Sequence, residues 1–142
     1  MTSVIVDTGP LVAFLNGRDR QHDWVTGVLD GIAPPLLTCD SVLSEACFLL
    51  QDVRGGSDAV LELMSRGIVK STFRVDAELE AVRRLMTKYS SVPMSLADAC
   101  LVRMTELERA AVVLTLDGDF RIYRRHRRQT IPTIMPPRRT GA

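Results

Sequence analysis

Cysteine, histidine and aromatic residues are all scarce in this sequence. Among 142 residues there are three Cys and two His, and Phe, Trp and Tyr together make up 5%. Cys39, Cys47 and Cys100 form an odd set with no close metal-ligand spacing. That argues against a disulfide framework or a zinc cage, and for free thiols in a reducing cytoplasm. His22 and His126 lie far in sequence from each other and from the acids discussed below. Zinc ligation is therefore not expected, and His22 reads as a helix-surface residue. No apolar run reaches membrane-spanning length, because Asp, Glu or Arg interrupts each candidate within about a dozen residues. The first residues lack a basic segment followed by an apolar stretch and a cleavage site, so no secretory signal is expected.

What is present is ordinary for a globular chain: 46% hydrophobic and 25% charged residues, in a length that suits one domain (1–142) with a proper core. The net charge is only +1, but it is unevenly placed. Residues 1–120 contain 11 Lys and Arg against 17 Asp and Glu, whereas residues 121–142 contain seven Arg and no acid. An acidic body beside a basic segment suits a polyanionic partner reached through a cation-filled site. A solvated terminal strip is the simpler alternative.

The stretch 3–15, SVIVDTGPLVAFL, organises the rest. Val4-Ile5-Val6 reads as a buried parallel strand that delivers Asp7 to its C-terminal end, with a Thr8-Gly9-Pro10 turn and a helix over 11–16 beyond it. In open parallel sheets that edge is where ligands bind. Helical periodicity recurs at 22–29, at 40–51 with Asp40 as cap, at 58–66, at 76–89 with Leu79, Val82, Leu85 and Met86 inward, and at 95–107. Short runs at 36–38, 68–73, 111–116 and 130–135 read as strands, and 119–124 as a short helix. The alternation predicts an α/β fold, a three-layer α/β/α sandwich with a mostly parallel central sheet.

Four acids stand beside apolar sequence at element ends. Asp7 and Asp117 close strands, Glu45 lies in a helix between Leu43 and Ala46, and Asp98 lies in the first turn of the helix that Ser95 opens. Asp119 follows Asp117 two residues on. Strand ends and helix starts share one edge of a parallel sheet, so these side chains can meet there. Each has a simpler account alone: Asp7 as a helix cap, Asp98 with Ser95 in a capping box, Glu45 reaching solvent, Asp117-Gly118-Asp119 as a turn. Their coincidence is harder to dismiss, since buried acids need a partner or a metal and no Lys or Arg lies within these apolar segments. Carboxylates brought together repel, and their pKa values rise. A divalent cation resolves this, and all-oxygen ligation favours Mg²⁺ or Mn²⁺. Such a site fits metal-assisted phosphodiester hydrolysis.

Val6-Asp7-Thr8, Glu45, Ser95-Leu96-Ala97-Asp98-Ala99 and Leu114-Thr115-Leu116-Asp117-Gly118-Asp119-Phe120 place the four acids at spacings of 38, 53 and 19 residues. This ordered set resembles the PIN-domain ribonucleases, above all the VapC-type toxins of prokaryotic toxin–antitoxin pairs, over residues 4–123. The resemblance implies the α/β/α sandwich, Mg²⁺- or Mn²⁺-dependent endonucleolytic cleavage of RNA, a frequent homodimer and inhibition by a cognate antitoxin protein. By position it implies Asp7, Glu45, Asp98 and Asp117 as the catalytic acids, with Asp7, Asp98, Asp117 and Asp119 turned to the metal. It also implies Thr8, Ser95 and Thr115 as hydroxyls that order the carboxylates or the metal's waters. Arg103-Met104-Thr105 departs from the small residues more usual in that helix, and the Arg-rich end is longer than the motif requires.

Arg121, Arg124 and Arg125 follow the last acidic motif directly, with Arg127 and Arg128 beyond. They are expected to contact RNA phosphates, or else an acidic antitoxin segment. A phosphate-accepting signalling domain competes with this reading, but it calls for a lysine at a later strand end, and Lys70 and Lys88 are poorly placed. A catalytically silent binding module predicts loss of the acids, and all four are present. The sequence leaves open which RNA is cut, and whether the chain is a toxin or a non-toxin RNA-processing nuclease.

Overall fold

Val4, Ile5 and Val6 are all buried, the pattern of a central parallel strand covered on both faces. In the computed structural model, which describes residues 2–138, they form strand β1 (Ser3–Val6). The remaining strands are β2 (Leu36–Cys39), β3 (Val69–Phe73), β4 (Ala111–Leu114), β5 (Arg124–Arg125), β6 (Gln129–Thr130) and β7 (Thr133–Ile134). The helices are α1 (Thr8–Leu15), α2 (His22–Asp30), α3 (Asp40–Leu49), α4 (Gly56–Ser65), α5 (Leu79–Lys88) and α6 (Leu96–Leu107). The last four residues of the expected basic segment lie outside the described residues. Among the described residues no helix is long and apolar enough to cross a membrane.

Five strands make a parallel sheet in the order β3-β2-β1-β4-β7, and helices flank it, as the sequence pattern predicts. The register decides what meets at its C-terminal edge. Val6 pairs with Leu114, so Asp7 and Thr115, the next residues of their chains, emerge side by side. Thr38 Oγ1 donates to the Val6 carbonyl at 2.8 Å, fastening β2 to β1 immediately beneath Asp7. Ile5, Leu101, Val113, Leu114 and Phe120 are fully buried around this junction.

The structure departs from the sequence expectations at several places. Helix α1 starts at Thr8 instead of 11, because Asp7 caps it and Pro10 sits in the first turn, where its missing N–H costs nothing. Asp40 is not a cap: Cys39 precedes the helix, and the Asp40 carboxylate accepts a hydrogen bond from Ser71 Oγ across to β3. The expected helix 76–89 divides into a 3₁₀ turn, Asp76–Glu78, and α5, which leaves Leu79 47% exposed instead of inward. Strand β4 stops at Leu114, and the expected helix 119–124 shrinks to a 3₁₀ turn, Gly118–Arg121. The expected strand 130–135 splits beside Pro132. Its first residues pair antiparallel with β5, and Thr133–Ile134 joins the main sheet beside β4. His22 is held at Ala13, its Nδ1 lying 2.8 Å from that carbonyl, and does not stand free on the surface.

The β5–β6 hairpin also relocates an expected RNA contact. Arg125 is buried, and its Nη1 donates to the carbonyls of Thr105 and Arg109 at 3.2 and 3.3 Å. A guanidinium there satisfies the Thr105 carbonyl in the last turn of α6 and the Arg109 carbonyl just beyond it, and complements the negative end of the helix. Arg125 is thus a helix-end clamp, taken off the surface that an RNA backbone could reach.

Candidate active site

Asp7 is the most constrained acid. It is the N-cap of α1, and Oδ1 accepts the Thr8 N–H at 2.8 Å while Oδ2 accepts the Thr115 hydroxyl at 2.7 Å. The cap and the candidate catalytic group are therefore the same carboxylate, and the two accounts of Asp7 do not exclude each other. Burial pushes its pKa from 3.8 up to about 6. The nearby Asp98 and Asp117 charges add to the rise, and the two hydrogen bonds oppose it. Gly9 permits this crowding: a Cβ at that position would stand 3.3 Å from Leu116 side-chain atoms, so glycine lets the first turn of α1 press against the chain leaving β4.

Thr115 bridges two acids. While its hydroxyl donates to Asp7, the same oxygen accepts the Asp117 N–H at 3.0 Å. Asp117 in turn accepts the Asp119 N–H on Oδ1 at 2.9 Å, which forms the turn expected from Asp117-Gly118-Asp119. Ser95 caps α6 by accepting the Asp98 N–H at 3.0 Å. The Asp98 carboxylate is engaged elsewhere: Tyr123 Oη donates to Oδ2 at 2.7 Å. Burial raises the Asp98 pKa, the Tyr123 bond opposes the rise, and the charges of Asp117 and Asp119 add to it. The Tyr123 ring meets Tyr89 and Phe120 edge-on at centroid distances of 5.1 and 5.2 Å. Two such contacts, about 1 kcal/mol each, hold the hydroxyl on its carboxylate.

Glu45 stands exposed on α3 and lines the same cleft. All five acids, with Thr8 and Ser95, line one open cleft of about 460 Å³, and no Lys or Arg lines it. The cleft is not a ready-made cage. Among the described residues, no group of three or more Asp, Glu, His or Cys side chains is placed to hold an ion. The acids share the walls of one cleft, with the Asp7, Asp98 and Asp117 carboxylates each engaged in hydrogen bonds of their own. The donor set nonetheless suits a hard divalent cation. It is all oxygen, it carries uncompensated negative charge, and the buried Thr8 Oγ1 has no hydrogen-bond partner.

Tyr123 is the site residue that sequence reasoning missed. Its only signal is a tyrosine three residues beyond Phe120, in a stretch read as a short helix. Of the expected phosphate contacts, Arg124 Nη1 donates to the carbonyls of Arg121, Ile122 and Tyr123 at 2.7, 3.2 and 3.0 Å. That folds its guanidinium back over the turn that carries Tyr123. Arg121 is partly exposed on the same turn, its Nη1 close to Gly118.

Residues 4–125 match the PIN domain family. The chain is 31% identical over 117 residues to Ribonuclease VapC26 of Mycobacterium tuberculosis (strain ATCC 25618 / H37Rv), covering 80% of this chain and 86% of that one. Its fold is similar to the crystal structure of Mycobacterium tuberculosis VapC20, a Sarcin-Ricin loop cleaving toxin. The TM-score is 0.71 at 22% identity, over 82% of this chain and 92% of that one.

Proposed function

We propose, for a chain that belongs to the PIN-domain family and within it to the VapC-type ribonucleases, a metal-dependent endoribonuclease that acts as the toxin of a toxin–antitoxin pair. The observation that carries this is the cleft itself: Asp7, Glu45, Asp98, Asp117 and Asp119 line it without an intervening cation. Asp7, Asp98, Asp117 and Asp119 would hold Mg²⁺ or Mn²⁺, which when bound makes a nearby water more acidic and stabilises charge building on the scissile phosphate.

The remaining work falls to the chain's own groups. The Thr8 N–H and the Thr115 hydroxyl fix the Asp7 carboxylate before any ligand arrives, and Tyr123 does the same for Asp98. Glu45, exposed in the same cleft, orients the attacking water and takes up its proton. Water attacks phosphorus in line, the bond to the 3′ oxygen breaks, and that oxygen takes a proton from solvent water in the open cleft, leaving 5′-phosphate and 3′-hydroxyl ends. No protein nucleophile is required.

A cognate antitoxin and a homodimer complete the proposal. Phe48, Leu49 and Leu96 are exposed beside the cleft, an apolar surface suited to a protein partner. The free thiols Cys39, Cys47 and Cys100 suit the cytoplasm. The test is cleavage of RNA with Mg²⁺ or Mn²⁺ by wild type, Asp7→Asn and Asp98→Asn. Both variants are expected to lose activity, and wild-type rates from both would overturn the assignment.

A further inference from the structure

A second groove, of about 650 Å³, lies between α5, α6 and the β5–β6 hairpin, and its charge is the reverse of the cleft's. Arg84 and Lys88 line it from α5, Arg103 and Glu106 from α6, and Arg124 and Arg127 from the hairpin. Arg103 is paired with Glu106 and Glu78. Among the described residues, Arg84, Lys88, Arg124 and Arg127 have no carboxylate partner, so the groove lining carries a net positive charge.

Its geometry is built. Lys88 Nζ donates to the Arg127 carbonyl at 2.7 Å, and the His126 N–H donates to Glu106 at 2.7 Å. These bonds pin the hairpin turn against both helices. His126 and Arg127 adopt positive φ angles of 49° and 71°, a conformation that costs non-glycine residues energy and that these contacts hold in place. The turn sets the exposed Arg127 on the groove wall opposite the exposed Arg84. His126 is the single ring that lines the groove, with no Phe, Tyr or Trp, so base stacking there is limited and the charge suits a ligand bound chiefly through its backbone.

The groove and the acidic cleft share no lining residue but are linked through α6 and the turn that follows Tyr123. Helix α6 lines both, with Asp98 in the cleft and Arg103 in the groove, a step of about 7.5 Å along the axis at 1.5 Å per residue. Tyr123, bonded to Asp98, is followed directly by Arg124. We infer that this groove is a phosphate-binding track for the single-stranded RNA flanking the scissile bond, with Arg84, Lys88, Arg124 and Arg127 gripping its backbone without reading its bases. The inference rests on the RNA-cleaving assignment and extends it away from the cleft. It moves the contact surface from Arg125, which is buried, to Arg127 of the same basic strip and to Arg84 and Lys88 of α5, which no sequence motif marks.

The test compares wild type with Arg84→Glu/Arg127→Glu, and with Arg18→Glu/Arg20→Glu. The latter two arginines are exposed in the turn after α1, at the far edge of the sheet. The probe is a fluorescein-labelled oligouridylate of about a dozen nucleotides, titrated at several salt concentrations with metal chelated. The groove variant is expected to bind about tenfold more weakly and to flatten the dependence of log K on log salt by about 1.4, the effect of two lost single-strand phosphate contacts. The far-edge variant should retain both affinity and slope. With metal present, the groove variant should cut long RNA more slowly yet cut a fragment of a few nucleotides, confined to the cleft, at the wild-type rate. Unchanged affinity and slope overturn the track, as does lost binding of labelled oligoglutamate with RNA binding intact, which would assign the groove to an acidic protein segment. Because binding is read without metal, absent cleavage alone would count against the catalytic assignment and leave the track standing.

Discussion

Tyr123 Oη donates to Asp98 Oδ2 at 2.7 Å, joining the turn after β4 to the first turn of α6 across 25 residues of sequence. The bond binds the carboxylate to the aromatic core, since the same ring packs edge-on against Tyr89 and Phe120. Tyr123→Phe keeps that packing and removes the donor alone. It is expected to slow RNA cleavage about tenfold, the weight of one hydrogen bond to a charged group. It should also raise the Mn²⁺ concentration for half-maximal rate, which a purely structural residue would not move. An unchanged Mn²⁺ requirement would confine Tyr123 to a packing role.

Thr115 is the residue on which two acids depend. Thr115→Val is nearly isosteric and removes both the donor to Asp7 and the acceptor of the Asp117 N–H. Activity is expected to fall at least about tenfold, and Thr115→Ser should restore most of it by restoring the hydroxyl. Equal activity of the Val and Ser variants in a steady-state cleavage assay would contradict this.

Asp7 makes the metal-free protein less stable at neutral pH. Its pKa is 3.8 in the unfolded chain and about 6 in the fold. Below about pH 4 it is protonated in both states and carries no penalty, whereas above about pH 6 the folded state bears a buried charge. Asp7→Asn should therefore stabilise the chelated protein by up to about 3 kcal/mol at pH 7.5, and the gain should vanish as the pH falls through 4. Urea denaturation across that range measures it. The same substitution is expected to abolish cleavage, a direct trade of stability for function.

Arg125 is expected to behave unlike its neighbours. Arg125→Met should lower stability by about 2 kcal/mol, because the carbonyls of Thr105 in α6 and Arg109 just beyond it lose their donor and the core loses a packed side chain. Among molecules that remain folded, the salt dependence of RNA binding should be that of wild type. A flattened salt slope with unchanged stability would return Arg125 to the RNA surface.

Chelation provides the last prediction. Removing divalent ions should abolish cleavage while leaving the far-ultraviolet circular dichroism spectrum unchanged, since the carboxylates are held by Thr8, Thr115 and Tyr123 and not by an ion. Mn²⁺ should restore the rate, and Zn²⁺ should do so poorly, for want of nitrogen or sulfur donors in the cleft. Restoration by Zn²⁺ equal to that by Mn²⁺ would contradict the all-oxygen site.

Much of this protein is local, and local features are legible in a linear sequence. Three consecutive apolar residues ending in an acid determine that β1 is central and that Asp7 sits at its C-terminal end, because burial on both faces needs no knowledge of the neighbours. The same holds for Ser95 capping α6 and for Asp117-Gly118-Asp119 turning, where donor and acceptor lie within three residues. The alternation of strands and helices likewise determines the parallel sheet. Tertiary structure alone decided the rest. Thr115 reaches Asp7 because Val6 pairs with Leu114, a register set between segments more than 100 residues apart. Which arginine is buried and which faces solvent was equally hidden: Arg124, Arg125 and Arg127 are alike in composition and propensity, and only the bend of one hairpin turns Arg125 to the end of α6 and Arg127 to the open groove. Long side chains carry their charge too far from the backbone for sequence position to say where it lands.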